Sequence, residues 1–428
     1  MSRSEEEEMN AAESLYRTLL RRAVLTCAML AIASGTAAAQ GGQAASASND
    51  TTLRFEIYGF GQGDIGYDFG RMNPQWYDVV RPSKLPSFAD EFGKNGNAWA
   101  SPRQSRFGVK AKKLTDRGDM TAVFDFDMFG VGIDAGQTTI RLRHAYGEYI
   151  HILGGQLESA FMDLDVFPNI LDYWGPNGML FFRNAQVQYR PIDDKTRQLA
   201  FALEKPGASA DAGDYTGRIE LANVKPHFPW PDISGHYRYM GDWGHVQLGG
   251  IWRMIRWDQV PTDTFDLSGH VTGWGVSLGG TGNFSNKANV IRAQVNYGDG
   301  IQNYFNDAPV DVGVVDQFSN LRTPITGKAL PIFGAMLYLD HTWDQHFTSA
   351  LGWSMVNVTN SNGQADNAFH NGQYASTNLL WTPVPTVMMG GELQYSRRSN
   401  FRNDFDFNDF KLQFSFKYSF SQKFGGTP

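Results

Sequence analysis

The stretch Lys411-Leu-Gln-Phe-Ser-Phe-Lys-Tyr-Ser-Phe420 alternates polar and apolar residues without an exception. Its even-numbered positions are all large and mostly aromatic, whereas its odd-numbered positions are Lys, Gln or Ser. A period of two indicates a β-strand, because successive side chains of a strand point to opposite faces. An aromatic face of this kind is typical of the lipid-facing side of a transmembrane β-barrel. One strand of a soluble β-sandwich would show the same pattern, so the rest of the chain has to decide between them.

The composition of the whole chain narrows the class of protein. Of its 428 residues, 42% are hydrophobic, 14% are aromatic and only 19% are charged. After residue 40 no run of about 18 consecutive apolar residues occurs, so the sequence predicts no membrane-spanning helix. A closed β-barrel is the other structure that satisfies its backbone hydrogen bonds in lipid, and the alternation favours it. The formal net charge of −7 gives no indication of a nucleic-acid partner.

The N-terminus has the pattern of a signal peptide. Basic residues within Arg17–Arg22 precede an apolar segment, Ala23–Gly35, and the small residues Thr36–Ala39 form a cleavage motif before Gln40. We therefore expect a signal peptide over residues 1–39, cleaved near Ala39-Gln40, and delivery of the mature chain to the bacterial outer membrane.

Three details of this region complete the prediction. An acidic run, Glu5–Glu8, precedes the basic residues, which leaves open whether Met1 or Met9 starts the chain. Cys27 is the only cysteine and lies within the predicted signal peptide. The mature protein is therefore expected to lack disulfides, thiol catalysis and cysteine metal sites. Residues 40–52, rich in Gly, Ala and Ser, predict a flexible lead-in to the barrel.

The alternation recurs along residues 53–424 and predicts sixteen antiparallel strands. The predicted strands are Leu53–Phe69, Arg103–Lys113, Asp119–Phe129, 138–148, 149–157, 180–190, 198–205, 228–239, 244–257, 269–282, 287–298, 328–340, 346–357, 371–382, 386–397 and 407–420. Short connections alternate with long ones near 70–102, 158–180, 299–327 and 358–370, which is the pattern of an outer-membrane barrel. The predicted fold class is all-β, a transmembrane barrel. With sixteen strands the barrel is wide enough to enclose a water-filled channel. The tail Phe424–Pro428 does not end on an aromatic residue, and its role stays open.

The third long connection, about 158–180, carries too many apolar residues for a loop in water. They include Phe161, Phe167 and Trp174. A loop folded into the lumen would bury them against the barrel wall and narrow the channel. A loop packed on the rim or in a subunit interface is the alternative.

Several motifs around this loop are similar to those of the DcaP-like family of trimeric outer-membrane porins. They are Arg141-Leu-Arg-His-Ala-Tyr-Gly147, Gly155-Gln156, Phe161-Met-Asp-Leu-Asp-Val-Phe-Pro-Asn169, Leu171-Asp-Tyr-Trp-Gly-Pro-Asn-Gly178 and Phe182-Arg-Asn184. The resemblance implies a 16-stranded homotrimer that takes up small organic anions, especially dicarboxylates. The chain lacks the helical N-terminal extension of many members, so a periplasmic stalk is in doubt.

Strand parity predicts which charged side chains enter the channel. A cation on the lipid face costs about 2–4 kcal/mol near the membrane midplane, so such residues are expected to face inward. Arg183 follows the loop directly, and the alternation leaves its direction open. The residues expected to line the pore and select the solute are Arg106, Lys110, Arg141, Arg143, Arg183, Arg238, Arg253 and Arg292.

The inserted loop is expected to present three carboxylates, Asp163, Asp165 and Asp172, opposite these cations. Lumen arginines opposite loop carboxylates would set up a transverse field, and a ring of guanidinium groups selects anions. Ordinary polarity of a water-filled wall is the alternative, and inward aspartates such as Asp125 and Asp127 would reduce the preference.

The sequence therefore predicts a passive porin without catalytic residues, cofactor or metal site, with small solutes and outer-membrane lipid as its partners. Three alternatives stay open: a barrel enzyme of the hydrolase type, a structural or adhesive barrel, and a soluble all-β binding protein. No Ser/His/Asp group is associated with one loop, and the scattered histidines form no zinc pattern.

Overall fold

The computed structural model describes residues 53–260 and 264–425. The predicted signal peptide, the lead-in 40–52 and the last three residues of the tail lie outside these ranges. Within them, no helix is long and apolar enough to cross a membrane.

The described residues form 21 strands and seven short 3₁₀ turns. The strands are β1 (Leu53–Asp68), β2 (Asn97–Ser101), β3 (Arg106–Thr115), β4 (Gly118–Phe129), β5 (Thr138–Tyr149), β6 (Ile152–Glu158), β7 (Arg183–Asp193), β8 (Arg197–Glu204), β9 (Ala210–Asp211), β10 (Val224–His227), β11 (Asp232–Gly241), β12 (Gly244–Gln259), β13 (Gly269–Phe284), β14 (Asn289–Asp299), β15 (Val312–Asp316), β16 (Ile325–Ala329), β17 (Pro331–Thr342), β18 (Phe347–Val358), β19 (Phe369–Val384), β20 (Val387–Asn400) and β21 (Asp406–Phe424). The 3₁₀ turns are Pro74–Trp76, Pro82–Lys84, Gly132–Asp134, Leu164–Val166, Gly213–Tyr215, Ile219–Leu221 and Gln302–Tyr304.

One closed antiparallel sheet forms a barrel. The sheet has 18 strands, of which β2 and β10 are short additions at the rim, so sixteen strands make the wall. The first wall strand closes the barrel, because β1 pairs with β3 along one edge and with β21 along the other. The predicted all-β, sixteen-stranded barrel is confirmed, and each predicted strand lies within a few residues of an observed one.

The strand faces follow the polar and apolar alternation. On β12, Val246, Leu248, Trp252 and Met254 point outward, a span of eight residue steps, or roughly 26 Å along the strand. With a strand tilt of about 40° this gives an apolar band about 20 Å tall, close to the height of an outer-membrane barrel's lipid belt. On β21 the aromatic positions of the alternating stretch are exposed outward, whereas Lys411, Gln413 and Ser415 are buried inside.

Long connections pack against the inner wall of the barrel. One cluster of buried apolar side chains combines wall residues with residues of the loops after β1 and β6, and a second combines wall residues with residues of the loops after β6 and β14. Such clusters form because the apolar side chains of a loop are more stable when they are removed from water. Full burial of one large apolar side chain stabilises the folded state by about 1.5–3 kcal/mol.

A small second sheet lies among the loops and was not predicted from the sequence. It consists of β9, β15 and β16, which come from the loops after β8 and β14. The strand β9 has only two residues and pairs in parallel with β15. Pairing between such distant segments leaves no local periodicity that could reveal it.

Candidate functional site

The connection between β6 and β7, residues 159–182, lies against the inner wall, and we call it the inserted loop. Its backbone amides donate to inward side chains of three different strands. Gly178 donates to Ser354 Oγ at 2.7 Å, Leu180 to Gln294 Oε1 at 2.9 Å and Leu171 to Glu392 Oε2 at 2.7 Å. These bonds replace the water that a free loop would use, so the wall side chains hold the loop within the lumen.

Two of the three loop carboxylates lie beside cations of the wall. Asp163 is 1% exposed at its side chain; its Oδ1 lies 3.6 Å from Arg238 Nη1, and its Oδ2 lies 2.6 Å from His245 Nε2. Asp165 is 61% exposed and forms an ion pair with Arg238, while Arg292 donates to the carbonyl oxygen of Asp165. We call this region the paired side, because each of its arginines has a carboxylate partner.

Arg292 completes the paired side. Its Nε lies 2.6 Å from Asp340 Oδ2, and Asp340 Oδ1 also accepts the backbone amide of Asn169 in the inserted loop. The charge of Arg292 is therefore balanced by a wall carboxylate and not by a loop carboxylate.

The third loop carboxylate, Asp172, does not face the channel. It is buried and accepts backbone amides of Val80, Trp174 and Gly175, each at 3.3 Å. Burial and the neighbouring Glu392 raise the pKa of Asp172 from 3.8 to about 7. Asp172 thus closes a turn of the loop, in contrast to the exposed position expected for it.

Across the lumen, Arg141 and Arg143 lie over the ring of Tyr173 at 5.4 and 5.9 Å, and Arg106 and Arg183 are near enough to Arg143 to interact with its charge. We call these four arginines the basic cluster. Asp127 on β4 is the carboxylate in contact with this group. Its Oδ2 lies 2.7 Å from Arg141 Nη2 and 3.0 Å from Arg143 Nη1, and it also accepts the Tyr173 hydroxyl. The Tyr173 ring stacks on Phe129 at a centroid distance of 4.5 Å, which fixes the loop against the cluster.

Two members of the basic cluster have no anionic partner among the described residues. Neither Arg106 nor Arg183 forms an ion pair there, and each has a buried guanidinium nitrogen without a hydrogen-bond acceptor. Arg106 lies over Phe60 at 5.6 Å and Arg183 over Phe181 at 5.1 Å. The parity argument left the direction of Arg183 open, and the structure places it in this cluster.

Two further carboxylates near the cluster, Asp125 and Glu158, are bridged by the side chain of His144. His144 Nδ1 lies 2.8 Å from Asp125 Oδ1, and its Nε2 lies 2.7 Å from Glu158 Oε1. Counting Asp125 and Glu158 with Asp127, the four guanidinium groups face three carboxylates, so the region keeps an excess of positive charge.

A cavity of about 600 Å³ opens beside the basic cluster, and we call it the vestibule. No Asp or Glu is among the described residues that line it. Its cations come from the loop after β1 and from the wall, and its rings come mainly from the loops: Arg81, Lys84, Arg141, Arg183, Trp76, Tyr173, Trp174, Phe181 and Phe182. Arg81 packs against the rings of both Trp76 and Trp174, at 4.1 and 4.4 Å, and pairs with Asp307 at 2.9 Å.

The other predicted cations lie elsewhere. Arg253 faces inward but is fully buried, held by Asp232 and Asp311 at 3.1 and 3.0 Å, so it fastens loops and does not line an open channel. Lys110 lies on the same face of β3 as Arg106, exposed and closer to the short-turn end. The sequence reasoning missed Arg81 and Lys84, although the segment Arg81-Pro-Ser-Lys84 beside Trp76 is a basic and aromatic signal.

A sixteen-stranded barrel with a lumen-facing loop and a charged interior defines an outer-membrane channel of the porin type. The sequence profile of the DcaP outer membrane protein family matches residues 45–420, and the chain belongs to this family. The expected family membership is therefore confirmed. No curated protein matches the chain.

Solved structures show the same fold. The outer membrane channel DcaP of Acinetobacter baumannii has 20% sequence identity and a TM-score of 0.71, over 88% of this chain and 100% of that chain. OmpT of Vibrio cholerae has 10% identity and a TM-score of 0.53, over 87% and 99%. An anion-selective porin from Comamonas acidovorans has 10% identity and a TM-score of 0.52, over 86% and 99%. At these identities the likeness concerns the fold alone.

Proposed function

We propose that this channel admits small hydrophilic organic anions, dicarboxylates among them, by passive diffusion, and that the vestibule and the basic cluster select them. The observation that carries the proposal is Arg183: a guanidinium without a carboxylate partner borders a cavity whose described lining contains no acidic residue. A carboxylate that enters the vestibule supplies the partner which the protein lacks at this position.

Guanidinium chemistry supports this choice of solute. Arginine binds carboxylates through two parallel N–H···O bonds, and such charge-assisted bonds are about twice as strong as neutral ones. Arg183 and Arg106 have unused donors and form no ion pair among the described residues, whereas Arg238 and Arg292 each form an ion pair with a carboxylate of the protein. A dicarboxylate can engage Arg183 with one end while its other end meets Lys84 or Arg141 of the same lining.

The electrostatics support passage as well as binding. A cleft lined by one sign of charge raises the local concentration of the opposite ion, by roughly 10-fold or more at low salt. Since salt screens exposed charges with a Debye length of about 10 Å at 0.1 M, the selectivity is expected to fall as the salt concentration rises.

The proposal is tested by the reversal potential of the purified protein in planar bilayers under a KCl gradient. We expect chloride to be more permeant than potassium, and succinate or a longer dicarboxylate to reduce the chloride current at sub-saturating concentration. A reversal potential of the opposite sign would refute anion selection. The absence of any conductance would refute the channel itself.

We further propose that the mature protein is a homotrimer in the bacterial outer membrane, reached after cleavage near Ala39-Gln40. The family is one of outer-membrane proteins, and OmpT of Vibrio cholerae, which shares the fold, has been solved in a trimer form. Native mass spectrometry of the extracted protein tests both points, since it gives the subunit count and the mass of the mature N-terminus together.

A further inference from the structure

A second cavity, of about 400 Å³, lies at the long-loop end of the barrel, between the small β9–β15–β16 sheet and the ends of β10 and β12. It is separate from the vestibule, although Ser209 borders both. The Ser209 hydroxyl is engaged at this boundary, at 2.9 Å from Asn303 Oδ1 and 3.2 Å from Asp311 Oδ2. The solute pathway proposed above makes no use of this second cavity.

The lining of the second cavity is predominantly apolar. It includes Leu221, Val224, Trp257, Val314 and Ile325, which come from four separate segments of the chain. The indole N–H of Trp257 is satisfied by the carbonyl oxygen of Leu267 at 2.7 Å, so it does not call for a bound water. An apolar cavity of about 150 Å³ already holds benzene in preference to water, so 400 Å³ suffices for a flexible hydrocarbon chain.

Two cations line the same cavity. The exposed Lys225 donates to a backbone carbonyl at 3.1 Å and forms no ion pair with a described carboxylate. Arg256 meets Asp258 at 2.9 Å through Nε, and Asp258 is shared with His227 at 2.6 Å. The acidic residue of the lining, Asp211, is already used by a backbone amide at 2.8 Å and a glutamine amide at 3.0 Å.

A glycine lets one wall of the cavity pack closely. A Cβ atom at Gly327 would lie 2.6 Å from the Trp257 ring and 2.8 Å from Val312, closer than side chains approach one another. The absence of a side chain at this position therefore lets the Trp257 ring pack directly against the small sheet.

We propose that this cavity is a binding site for an amphipathic anion, with a single hydrocarbon chain against the apolar lining and an anionic head group at Lys225. A purely apolar ligand would leave Lys225 without an anionic partner, and a small hydrophilic anion would leave the apolar lining in contact with water. A long-chain carboxylate and an acyl chain with the phosphate of an outer-leaflet lipid share this chemistry.

The proposal is tested by binding of a dansyl-labelled undecanoic acid to the protein in phosphatidylcholine nanodiscs, with empty nanodiscs as the background. We expect saturable binding that decanoate displaces and decanol does not. Ala210→Trp fills the cavity from its rim and Lys225→Gln removes a head-group cation, so each should weaken binding roughly tenfold or more. Their matched controls are Ala89→Trp and Lys195→Gln, both exposed outside the cavity, which should bind the probe like the wild type.

Three outcomes would refute the site: no saturable binding above empty nanodiscs, equal displacement by decanol, or unchanged binding in Ala210→Trp. The decanol comparison uses the wild-type protein, so it decides the question even where a variant fails to fold. Displacement by lipopolysaccharide at concentrations where decanoate is ineffective would assign the cavity to a membrane lipid. Displacement by decanoate at concentrations where lipopolysaccharide is ineffective would assign it to a free carboxylate. Loss of anion selectivity in bilayers is not expected in either variant, which separates this site from the proposed solute pathway.

Discussion

Both the paired side and the basic cluster contain arginines, but carboxylates balance the charge of those on the paired side and leave two of those in the basic cluster unpaired. On the paired side, Arg238 meets Asp165 and Arg292 meets Asp340. In the basic cluster, Arg106 and Arg183 have no described carboxylate partner and Arg141 shares Asp127 with Arg143. The direction in which an arginine points therefore says little about ion selection. What decides the local field is whether the inserted loop or the wall supplies a carboxylate for it.

This difference also changes the expected field across the channel. The sequence predicted loop carboxylates opposite wall arginines, with a field between them. In the structure Asp163 and Asp172 are buried, and the exposed Asp165 is in direct contact with an arginine. The remaining field arises from the unbalanced cluster, so removal of a cluster arginine should matter more than removal of a paired one.

The largest expected effect comes from removal of the inserted loop. Deletion of Phe161–Trp174 removes Asp163, Asp165 and Tyr173 together, so we expect the single-channel conductance to rise severalfold, as in a wider barrel lumen. The measurement is conductance in planar bilayers. Because the loop is packed on both buried clusters, heat-modifiable migration on gels must first show that the barrel is folded. A folded variant with unchanged conductance would mean that the loop does not narrow the channel.

The next effect concerns the basic cluster. Arg183→Glu replaces an unpaired cation by a carboxylate, and we expect the anion-to-cation permeability ratio to fall roughly tenfold at 0.1 M salt and less at 1 M. Arg397→Glu is the matched control, since Arg397 is exposed on the barrel's outer face, where it pairs with Asp406. Equal changes in both variants would show that total charge, and not the cluster, sets selectivity.

A smaller effect is expected on the paired side. Arg238→Gln removes one cation and releases Asp165, so the permeability ratio should fall by a factor of roughly 2–3. The double variant with Asp165→Asn removes the released carboxylate as well and should restore most of the wild-type ratio. If the double variant stays as low as Arg238→Gln, the two residues do not act as a neutral pair.

The smallest effect is the pH dependence of loop attachment. The pKa of Asp172 is raised to about 7, so the folded state holds the proton more tightly than the unfolded state does. The resulting stabilisation is complete below the ordinary pKa of 3.8 and is lost as the pH rises through about 7. We expect a melting temperature a few degrees higher at about pH 5 than at about pH 8. In Asp172→Asn, which cannot ionise, this part of the pH difference should disappear.

Much of the fold could be predicted because the relevant information is local. The alternation in Lys411–Phe420 places aromatic residues toward lipid and Lys411 inside, and the structure agrees at each buried position of that strand. The vestibule could not be predicted in this way. Arg81 and its partner Asp307 are 226 residues apart, and each lies in a loop without periodicity.

By itself, the sequence determined the class of fold, the strand faces and the inward direction of the predicted arginines other than Arg183, because a strand's two faces meet lipid and water and each residue must suit its side. Only the tertiary structure decided which of those arginines keep an unbalanced charge. Ion pairing depends on distances of a few ångströms between segments far apart in the chain, such as Arg238 and Asp165 or Arg292 and Asp340. The selectivity proposed for this channel thus depends on which arginines the inserted loop pairs with a carboxylate, and on the fact that it supplies none to Arg183.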